Sequence, residues 1–293
     1  TTSGVNSSIA FAADASSGLS SQIAYSDIVN KGLEFFLKSE FVKKTKFSYT
    51  VTLNGAYNVN VARTVPTAGF TASDAYATAY RDGYSTSNLW AFKWAGLDNK
   101  GNPQIYNKEG KITSVLDSAT LASAMTYAGV LRAPWNGGLI QELTWGSFFG
   151  RAALTFSWGA VMKTFMPTPS TELVNSSLIR YRWKQAGDEL HTDIPAMSTD
   201  GASSFRGFVT NNSTNSVMSA NMIRLQEVMI GWRFPQRFIK RLKMNNMMVT
   251  LQGQNLAMWT QNKYHLDPTV VSSNGVVGMP IPRQYSCSVM VGL

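Results

Sequence analysis

Cysteine and histidine are almost absent from this chain, with one Cys and two His in 293 residues. A lone Cys287 excludes an internal disulfide framework and a thiolate metal cluster. Two histidines, His191 and His265, argue against a zinc site. Charge is scarce as well: 15% of the residues are Asp, Glu, Lys or Arg, against ~25% in an ordinary soluble domain. No run of ~18 apolar residues occurs, which excludes a helical membrane span. The G-x-S-x-G elbow, the H-E-x-x-H zinc helix, the P-loop and the G-x-G-x-x-G turn are all missing, so no catalytic residue, metal or cofactor is assigned. The opening residues, TTSGVNSSIAFAADASSG, lack a basic stretch and a compact apolar core, and so do not read as a signal peptide. The expectation is that a signal has been removed or that the chain is part of something longer.

What is present is apolar. The hydrophobic fraction is 44%, too evenly spread for a disordered chain. The net charge of +9 fits attraction to nucleic acid, lipid headgroups or lipopolysaccharide phosphates, and equally a solvated basic surface. The clearest periodicity is two residues. From Lys46 to Asn60, Phe47, Tyr49, Val51, Leu53, Gly55, Tyr57 and Val59 alternate with Ser, Thr and Asn. Side chains of a strand point alternately to opposite faces, so this segment reads as a strand with one oily and one wet face. Its length exceeds the ~5–6 residues usual in soluble strands and suffices for a tilted membrane strand of ~9–11.

The pattern recurs at Asn30 to Phe41, Gly138 to Trp145, Arg151 to Met162, Ala220 to Trp232, Met244 to Asn255 and Arg283 to Leu293. Three irregularities stand out. Phe36 falls on the polar side, Gln141 falls among Leu139, Leu143 and Trp145, and parity changes near Gln226, where a bulge would restore the facing. Short connections at Lys43 to Thr45, around Gly146 and Ser147, and at Pro235 to Arg241 alternate with long ones over 61–137, 163–218 and 259–281. Short turns at one end and long loops at the other are the pattern of an outer-membrane barrel. With the short turns in the periplasm, seven strands run down and up alternately and the C-terminus lands in the periplasm. Aromatics then fall at both ends: Phe41, Phe47, Trp145, Phe149 and Trp232 near the short turns, and Tyr57, Trp158, Trp259 and Tyr285 near the long loops, as two interfacial girdles require. Lys43, Lys44, Arg233, Arg237, Lys240, Arg241 and Lys243 cluster at the short-turn end, suited to anionic headgroups or to simple solubility.

The segments Asn30-Lys31-Gly32-Leu33-Glu34, Trp94-Ala95-Gly96-Leu97-Asp98, Pro134-Trp135-Asn136-Gly137-Gly138-Leu139 and Asp193-Ile194-Pro195 follow one another in the chain. So do Ile223-Arg224-Leu225 through Gly231-Trp232-Arg233-Phe234-Pro235, Gly253-Gln254-Asn255-Leu256 through Leu266-Asp267-Pro268, and Ile281-Pro282-Arg283. In order and spacing they resemble the C-terminal third of SusC/RagA-like TonB-dependent transporters of the Bacteroidetes outer membrane. The resemblance implies an all-β antiparallel transmembrane barrel segment, about the last seven of 22 strands, with residues 1–28 as the end of an extracellular loop and 29–293 as barrel. It implies an active importer of glycans or peptides, integral to the bacterial outer membrane. Its partners would be an N-terminal plug and barrel portion on another chain, a SusD-like surface lipoprotein lid, TonB acting through that missing portion, and outer-membrane lipid, with no nucleic acid. Seven strands cannot close around a lumen, so a split or nicked transporter held together by barrel hydrogen bonds is expected. One departure is Leu293 at the end of the last strand, where the family usually ends in an aromatic residue.

Among loop residues, Trp90, Trp94, Trp135, Asn136, Tyr181 and Trp183 are candidates for touching substrate or lid, because aromatic faces stack on sugars and peptide groups while amides hydrogen-bond to them. Packing within the loops explains the same aromatics. Asp188, Glu189, His191 and Asp193 form an acidic cluster that suits a hard cation, or only a solvated loop. Two other function classes stay open: a soluble all-β glycan-binding module, and a polysaccharide-cleaving enzyme, for which Glu142, Asp188 and Asp193 are the available carboxylates.

Overall fold

A computed structural model describes residues 2–3, 6–8, 22–24, 27–63, 71, 81–114, 117–167, 177–197, 203–242 and 244–292. Seven long strands form one antiparallel sheet in chain order: β1 (Asp27–Lys44), β2 (Phe47–Arg63), β3 (Trp135–Trp145), β4 (Phe148–Trp158), β5 (Met222–Arg233), β6 (Asn246–Thr260) and β7 (Gln284–Gly292). Thr2–Ser3 adds a two-residue pairing beside the Asp27–Ile28 end of β1. Apart from that pairing, the outer edge of β1 has no strand partner among the described residues, and neither has the far edge of β7.

Every strand expected from alternation is present, with shifted ends. The first turn is Thr45–Lys46, and Lys43 and Lys44 remain in β1. β3 starts at Trp135 and β4 at Phe148, joined by the two-residue turn Gly146–Ser147. Gly146 holds φ 59 there, a left-handed conformation that glycine adopts without a Cβ clash. β4 stops at Trp158 because the backbone turns at Gly159, with φ 91, before Val161–Lys163 pairs with Val217–Ser219. Leu293 and Lys243 lie outside the described residues.

Pairing fixes which side chains share a face. One face carries Leu33, Phe35 and Leu37; Phe47, Tyr49, Val51, Leu53 and Tyr57; Trp135, Leu139, Gln141, Leu143 and Trp145; and Phe148, Ala152, Leu154, Phe156 and Trp158. It continues through Ile223, Leu225, Val228, Ile230 and Trp232, then Val249, Leu251 and Trp259, and ends on Tyr285, Cys287, Val289 and Val291. The register shifts between Leu225 and Glu227, so the bulge at Gln226 does keep Ile223 and Leu225 on the same face as Val228, Ile230 and Trp232. A second shift, between Glu40 and Val42, places Phe41 in a bulge against the Tyr49 ring at 6.2 Å. Phe149 is the correction to the expected girdle: it lies on the opposite face, opposite Gly231, and Phe148 takes the girdle position against Trp145 and Trp232. The alternation through Ala152, Leu154 and Phe156 requires this, since even numbers share that face.

Among the described residues nothing packs on the apolar face. Leu33, Leu37, Trp145, Ile230, Leu251, Val289 and Tyr285 are all exposed. Large rings lie over glycines on the next strand in three directly opposed pairs, Phe35–Gly55, Phe156–Gly137 and Phe149–Gly231. A ring laid across a glycine covers backbone that would otherwise have no side-chain contact.

The buried core sits in the long connections instead. Phe92, Ile105, Leu121, Ala124 and Val209 form its centre, with Phe208 and Met125 against it. They come from the strands Asn88–Phe92, Pro103–Tyr106 and Met125–Val130, helix α1 (Ser118–Ser123) and helix α2 (Ser203–Asn211). Asp117 caps α1 by accepting from the Thr120 amide at 2.7 Å, which satisfies one of the donors that every helix start leaves open. The first and second connections are joined by backbone bonds, from Phe92 N to Asn212 O and from Ala196 N to Gly101 O, and the second and third by Phe165 N to Gly275 O.

Candidate functional site: the polar face and the loops above it

The face opposite the apolar one is mainly polar, interrupted by Phe36, Ile140, Phe149, Met229, Met248 and Met290. It carries Glu34, Lys38 and Glu40 of β1, Ser48, Thr50, Thr52 and Asn54 of β2, and Asn136, Glu142 and Thr144 of β3. Beyond these come Arg151, Thr155 and Ser157 of β4, Arg224 and Glu227 of β5, Thr250, Gln252 and Gln254 of β6, and Ser286 and Ser288 of β7. One registered row runs Glu40, Thr50, Glu142, Arg151, Met229, Gln252, Ser286. Arg151 lies 3.6 Å from Glu227, a half-exposed ion pair of the kind that contributes little to stability. The face therefore offers carboxylates, a guanidinium, amides and hydroxyls to water.

On the apolar face, Gln141 is the one polar side chain besides tyrosine between the aromatic ends of β2, β3 and β4, and the Tyr49 hydroxyl donates to its Oε1 at 2.8 Å. Aromatics make two rows in register on these strands. Phe47, Trp145, Phe148 and Trp232 form one at the short-turn end, with Phe148 stacked on Trp232 at 5.9 Å. Tyr57, Trp135 and Trp158 form the other at the long-loop end, with Tyr57 and Trp135 rings 4.4 Å apart. The basic residues Lys43, Lys44, Arg233, Arg237, Lys240 and Arg241 lie around the short turns and the helix α3 (Gln236–Ile239).

The third long connection is fastened to the wall by a buried ion pair. Arg224 Nη2 donates to both Asp267 oxygens at 2.7 Å and to Thr269 Oγ1 at 3.0 Å, and Met258 Sδ lies 3.6 Å away. Both charged side chains are 7% exposed. Burial pushes the Asp267 carboxyl up, but hydrogen bonds from Thr269 and Arg224 outweigh it and hold the carboxyl below its ordinary range. The first connection is tied to β2 by Ser85 Oγ and Thr86 N, both donating to Asn60 Oδ1, and by Asn58 N donating to Pro134 O. In the second, Lys163 is buried and donates to Asn212 Oδ1; burial depresses its ammonium to about 8.

The candidate contact residues are spread over this scaffold. Trp90 is buried in the loop body, edge-on to Tyr84 at 4.9 Å and to Tyr127 at 5.6 Å. Trp94 Nε1 donates to Asp193 Oδ1 at 3.1 Å, and Trp183 Nε1 donates to Glu189 Oε2 at 2.9 Å; that second bond leads the causes that lower the Glu189 carboxyl. Trp135 is the first residue of β3, on the apolar face beside Tyr57. Asn136 stands next to it on the polar face, its side chain donating to Ala133 O. Tyr181 is 58% exposed, with the Arg180 guanidinium 5.0 Å above its ring. The structure gathers Trp94 and Trp183 around one loop and leaves the others apart. The acidic cluster is used in turns: Asp188 accepts from the Lys184 and Gln185 amides and Glu189 from the Gly187 amide. Among the described residues no group of three or more His, Cys, Asp or Glu is arranged to hold a metal. Glu142 stands near the short-turn end of β3, and Asp188 and Asp193 in the loop body. Sequence reasoning missed the Arg224–Asp267 pair and the Arg151–Glu227 pair. The available signal was parity, which puts all three β-strand charges on the wet face.

The architecture is an all-β, up-and-down antiparallel wall, of the class from which barrels are built. No protein-family model matches the chain, and no curated protein matches it in sequence. Solved structures match it in fold. A chain of the RagAB peptide transporter superposes with a TM-score of 0.71 at 18% identity, over 94% of this chain and 30% of that one. A chain of the RagAB peptide importer in its "open-open" state gives 0.72 at 17% identity, over 98% and 31%. The "closed-closed" state gives 0.70 at 18%, over 94% and 30%. Identities this low establish a shared fold, and the chain spans about 30% of the length of the transporter chains it matches.

Proposed function

We propose that this chain is a sector of the wall of an outer-membrane β-barrel importer of the SusC/RagA-like, TonB-dependent kind. One observation carries the reading: an uncharged face bracketed by two aromatic rows in register. Phe47 and Tyr57, Trp135 and Trp145, and Phe148 and Trp158 each stand ten positions apart. Ten residues at ~3.3 Å are ~33 Å along a strand, or ~25 Å along the membrane normal at the ~40° tilt of membrane strands, which is the height of a lipid-facing band. The same residues exposed to water would form an apolar patch far beyond what a soluble monomer carries, which disfavours the soluble glycan-binding module.

The free edges of β1 and β7 need partner strands, since unpaired amides in hydrocarbon cost several kcal/mol each. A 22-stranded ring would supply roughly fifteen more. In this reading residues 1–28 belong to the long-loop, extracellular side, and 29–293 form the C-terminal barrel. The plug and the TonB contact lie in the remainder of the transporter, and a SusD-like lipoprotein caps the long loops. The solved neighbours are peptide transporters by name, which makes peptides the first cargo to test and glycans the second. The chain's own share is structural: wall, lumen lining and loop platform, with no bond-making step.

Nitroxide labels at Leu139 and Leu154 on the apolar face, and at Ile140 and Ala153 on the polar face, test this in bilayers with the protein as isolated from membranes. The first pair should be quenched by oxygen and the second by a water-soluble nickel chelate. Equal shielding of both faces from the chelate would mean a soluble, covered sheet and end the reading. Copurification in detergent of strands and a plug beyond this chain tests the partner assignment.

A further inference from the structure

Register brings unlike side chains together at the long-loop end of the polar face. Glu34, Ala56 and Asn136 stand in one row, and Phe36, Asn54 and Gly138 in the next row on that face. Ala56 and Gly138 bring little bulk, and a hollow of about 510 Å³ stays open among Glu34, Phe36, Asn54 and Asn136. Of the lining side chains only Phe35 belongs to the apolar face, where its ring covers Gly55. Leu53, Tyr57 and Phe156, which flank Gly55 and Gly137 on the apolar face, do not line the hollow, so it belongs to the polar face. Glu34, Phe36, Asn54 and Asn136 are all exposed. Glu34 makes no ion pair among the described residues, and the Asn54 side chain makes no hydrogen bond among them. The nearest cation on this face of β1 is Lys38, four residues or ~13 Å along the strand, so the hollow carries an uncompensated negative charge.

Resting on the barrel reading above, we propose that this hollow is a cargo subsite on the lumen wall that takes an ammonium group of a peptide. The Glu34 carboxylate receives the ammonium through charge-assisted hydrogen bonds. Phe36, the next residue of β1 on the same face, stands ~6.6 Å further along the strand, within reach for the cation to rest against its ring. The amides and carbonyls of β2 are consumed by its two ladders, so bonds to the peptide groups come from side chains. The Asn54 amide offers a donor and an acceptor. Asn136 Nδ2 donates to Ala133 O, which leaves its Oδ1 to accept. From Glu34 to Asn136 the row covers two strand spacings, ~9.6 Å, which about three residues of an extended peptide span. A neutral glycan would stack on Phe36 but leave the Glu34 carboxylate without a counter-charge, which favours the peptide. Asn136 follows Trp135 of the long-loop aromatic row. The hollow therefore lies at the loop-side mouth of the lumen, where cargo passing the loops first meets the wall.

Photo-crosslinking of the complete assembly, as isolated from membranes, tests this. The probe is a Gly- and Ser-rich hexapeptide without Lys, Arg or His, carrying photoleucine at its second position. Mass spectrometry should place its adducts among residues 34–36, 54–56 and 136–138. N-acetylation of the peptide, or Glu34→Gln with the free peptide, should each cut that yield about tenfold, the scale of one hydrogen bond to a charged group. Acetylation should make no further difference in Glu34→Gln. Glu34→Asp should retain part of the yield, and Glu142→Gln, near the short-turn end of the same face, should leave it unchanged. An acetylated hexapeptide with one internal lysine separates the sources of the ammonium. Recovered labelling assigns the subsite to terminus and side chain alike, labelling still lost assigns it to the terminus, and both support the proposal. Equal labelling by free and acetylated peptides, or by the free peptide in Glu34→Gln and the unaltered protein, overturns it. So does displacement of the adducts by a neutral hexasaccharide at concentrations where unlabelled free peptide displaces none, which would make the hollow a glycan site. A chain that never enters bilayers as a barrel overturns the function proposed above instead. An inserted barrel with adducts confined to the loops overturns only this subsite.

Discussion

Removing Arg224 should release the third long connection while leaving the wall intact. Arg224→Met keeps most of the volume and the contact with Met258, but strands the Asp267 carboxylate, 7% exposed, with Thr269 as its remaining donor. Breaking a buried pair by deleting one partner costs about 3–5 kcal/mol, because the other charge stays buried. At 1.4 kcal/mol per factor of ten, the opening equilibrium of the segment rises by roughly 10² to a few times 10³. The amides to watch are Thr269, which donates to Asp267 Oδ1, Gly278, which donates to Val270 O, and Leu266, which donates to Asn262 Oδ1. Hydrogen exchange at these three should accelerate by that factor, and exchange along the β3–β4 ladder should not. Arg224→Met/Asp267→Asn should recover most of the loss, since no charge then remains buried. Acid gives an independent check. The folded Asp267 carboxyl lies below the unfolded value of 3.8, so its contribution is complete above 3.8 and disappears as pH falls through the folded value. Exchange at Thr269 should accordingly be insensitive to this group between pH 5 and 8 and accelerate only in stronger acid. Unchanged protection at Thr269 and Gly278 in Arg224→Met would refute the claim that the pair fastens the segment.

Three further outcomes follow from single contacts. Tyr49→Phe removes the donor from Gln141 on the apolar face and should lower the denaturation midpoint by an amount corresponding to about 1–3 kcal/mol; Gln141→Leu in the same background should restore it. Gly231→Val places a Cβ inside the Phe149 ring and should destabilise by roughly 1–3 kcal/mol, with partial rescue by Phe149→Ala. Lys163, held at about 8 against 10.5 unfolded, sheds its proton first in the folded state. Stability of the loop body should therefore rise as pH climbs from about 8 to 10.5, and Lys163→Met should abolish that rise in a thermal melt.

The wall was legible in the sequence because one physical rule, alternation, governs most of it. That rule located seven strands, assigned Tyr285, Cys287, Val289 and Val291 to one face and required a bulge at Gln226. Where it was not followed through, the reading failed: even numbers in β4 put Phe148 outside, and Phe149 belongs opposite Gly231. The loop body was not legible. Phe92 meets Val209 and the Asn212 carbonyl across more than a hundred residues, and no local period encodes such a contact. The ion pair shows the boundary between the two. Arg224, flanked by Ile223 and Leu225, announces a polar face by its parity, but nothing near it in sequence names Asp267.

Wall and loops are thus held by different forces, and this predicts how they come apart. The wall has no interior of its own. Its cohesion is the ladder of interstrand hydrogen bonds, and in the bilayer setting proposed above each broken rung is left without water to replace it. The loop body has an ordinary interior, centred on Phe92, Ile105, Leu121 and Val209, and stands in water, where urea weakens apolar burial and solvates peptide groups. Urea should therefore open the loops at concentrations that leave the wall standing. In a bilayer titration, exchange at Phe92 N and Lys93 N, which donate to Asn212 O and Ala124 O, should rise at lower urea than exchange at Leu139 and Leu154. A single transition shared by all four amides would mean that loops and strands form one cooperative core, and the wall could not then be lying between lipid and water.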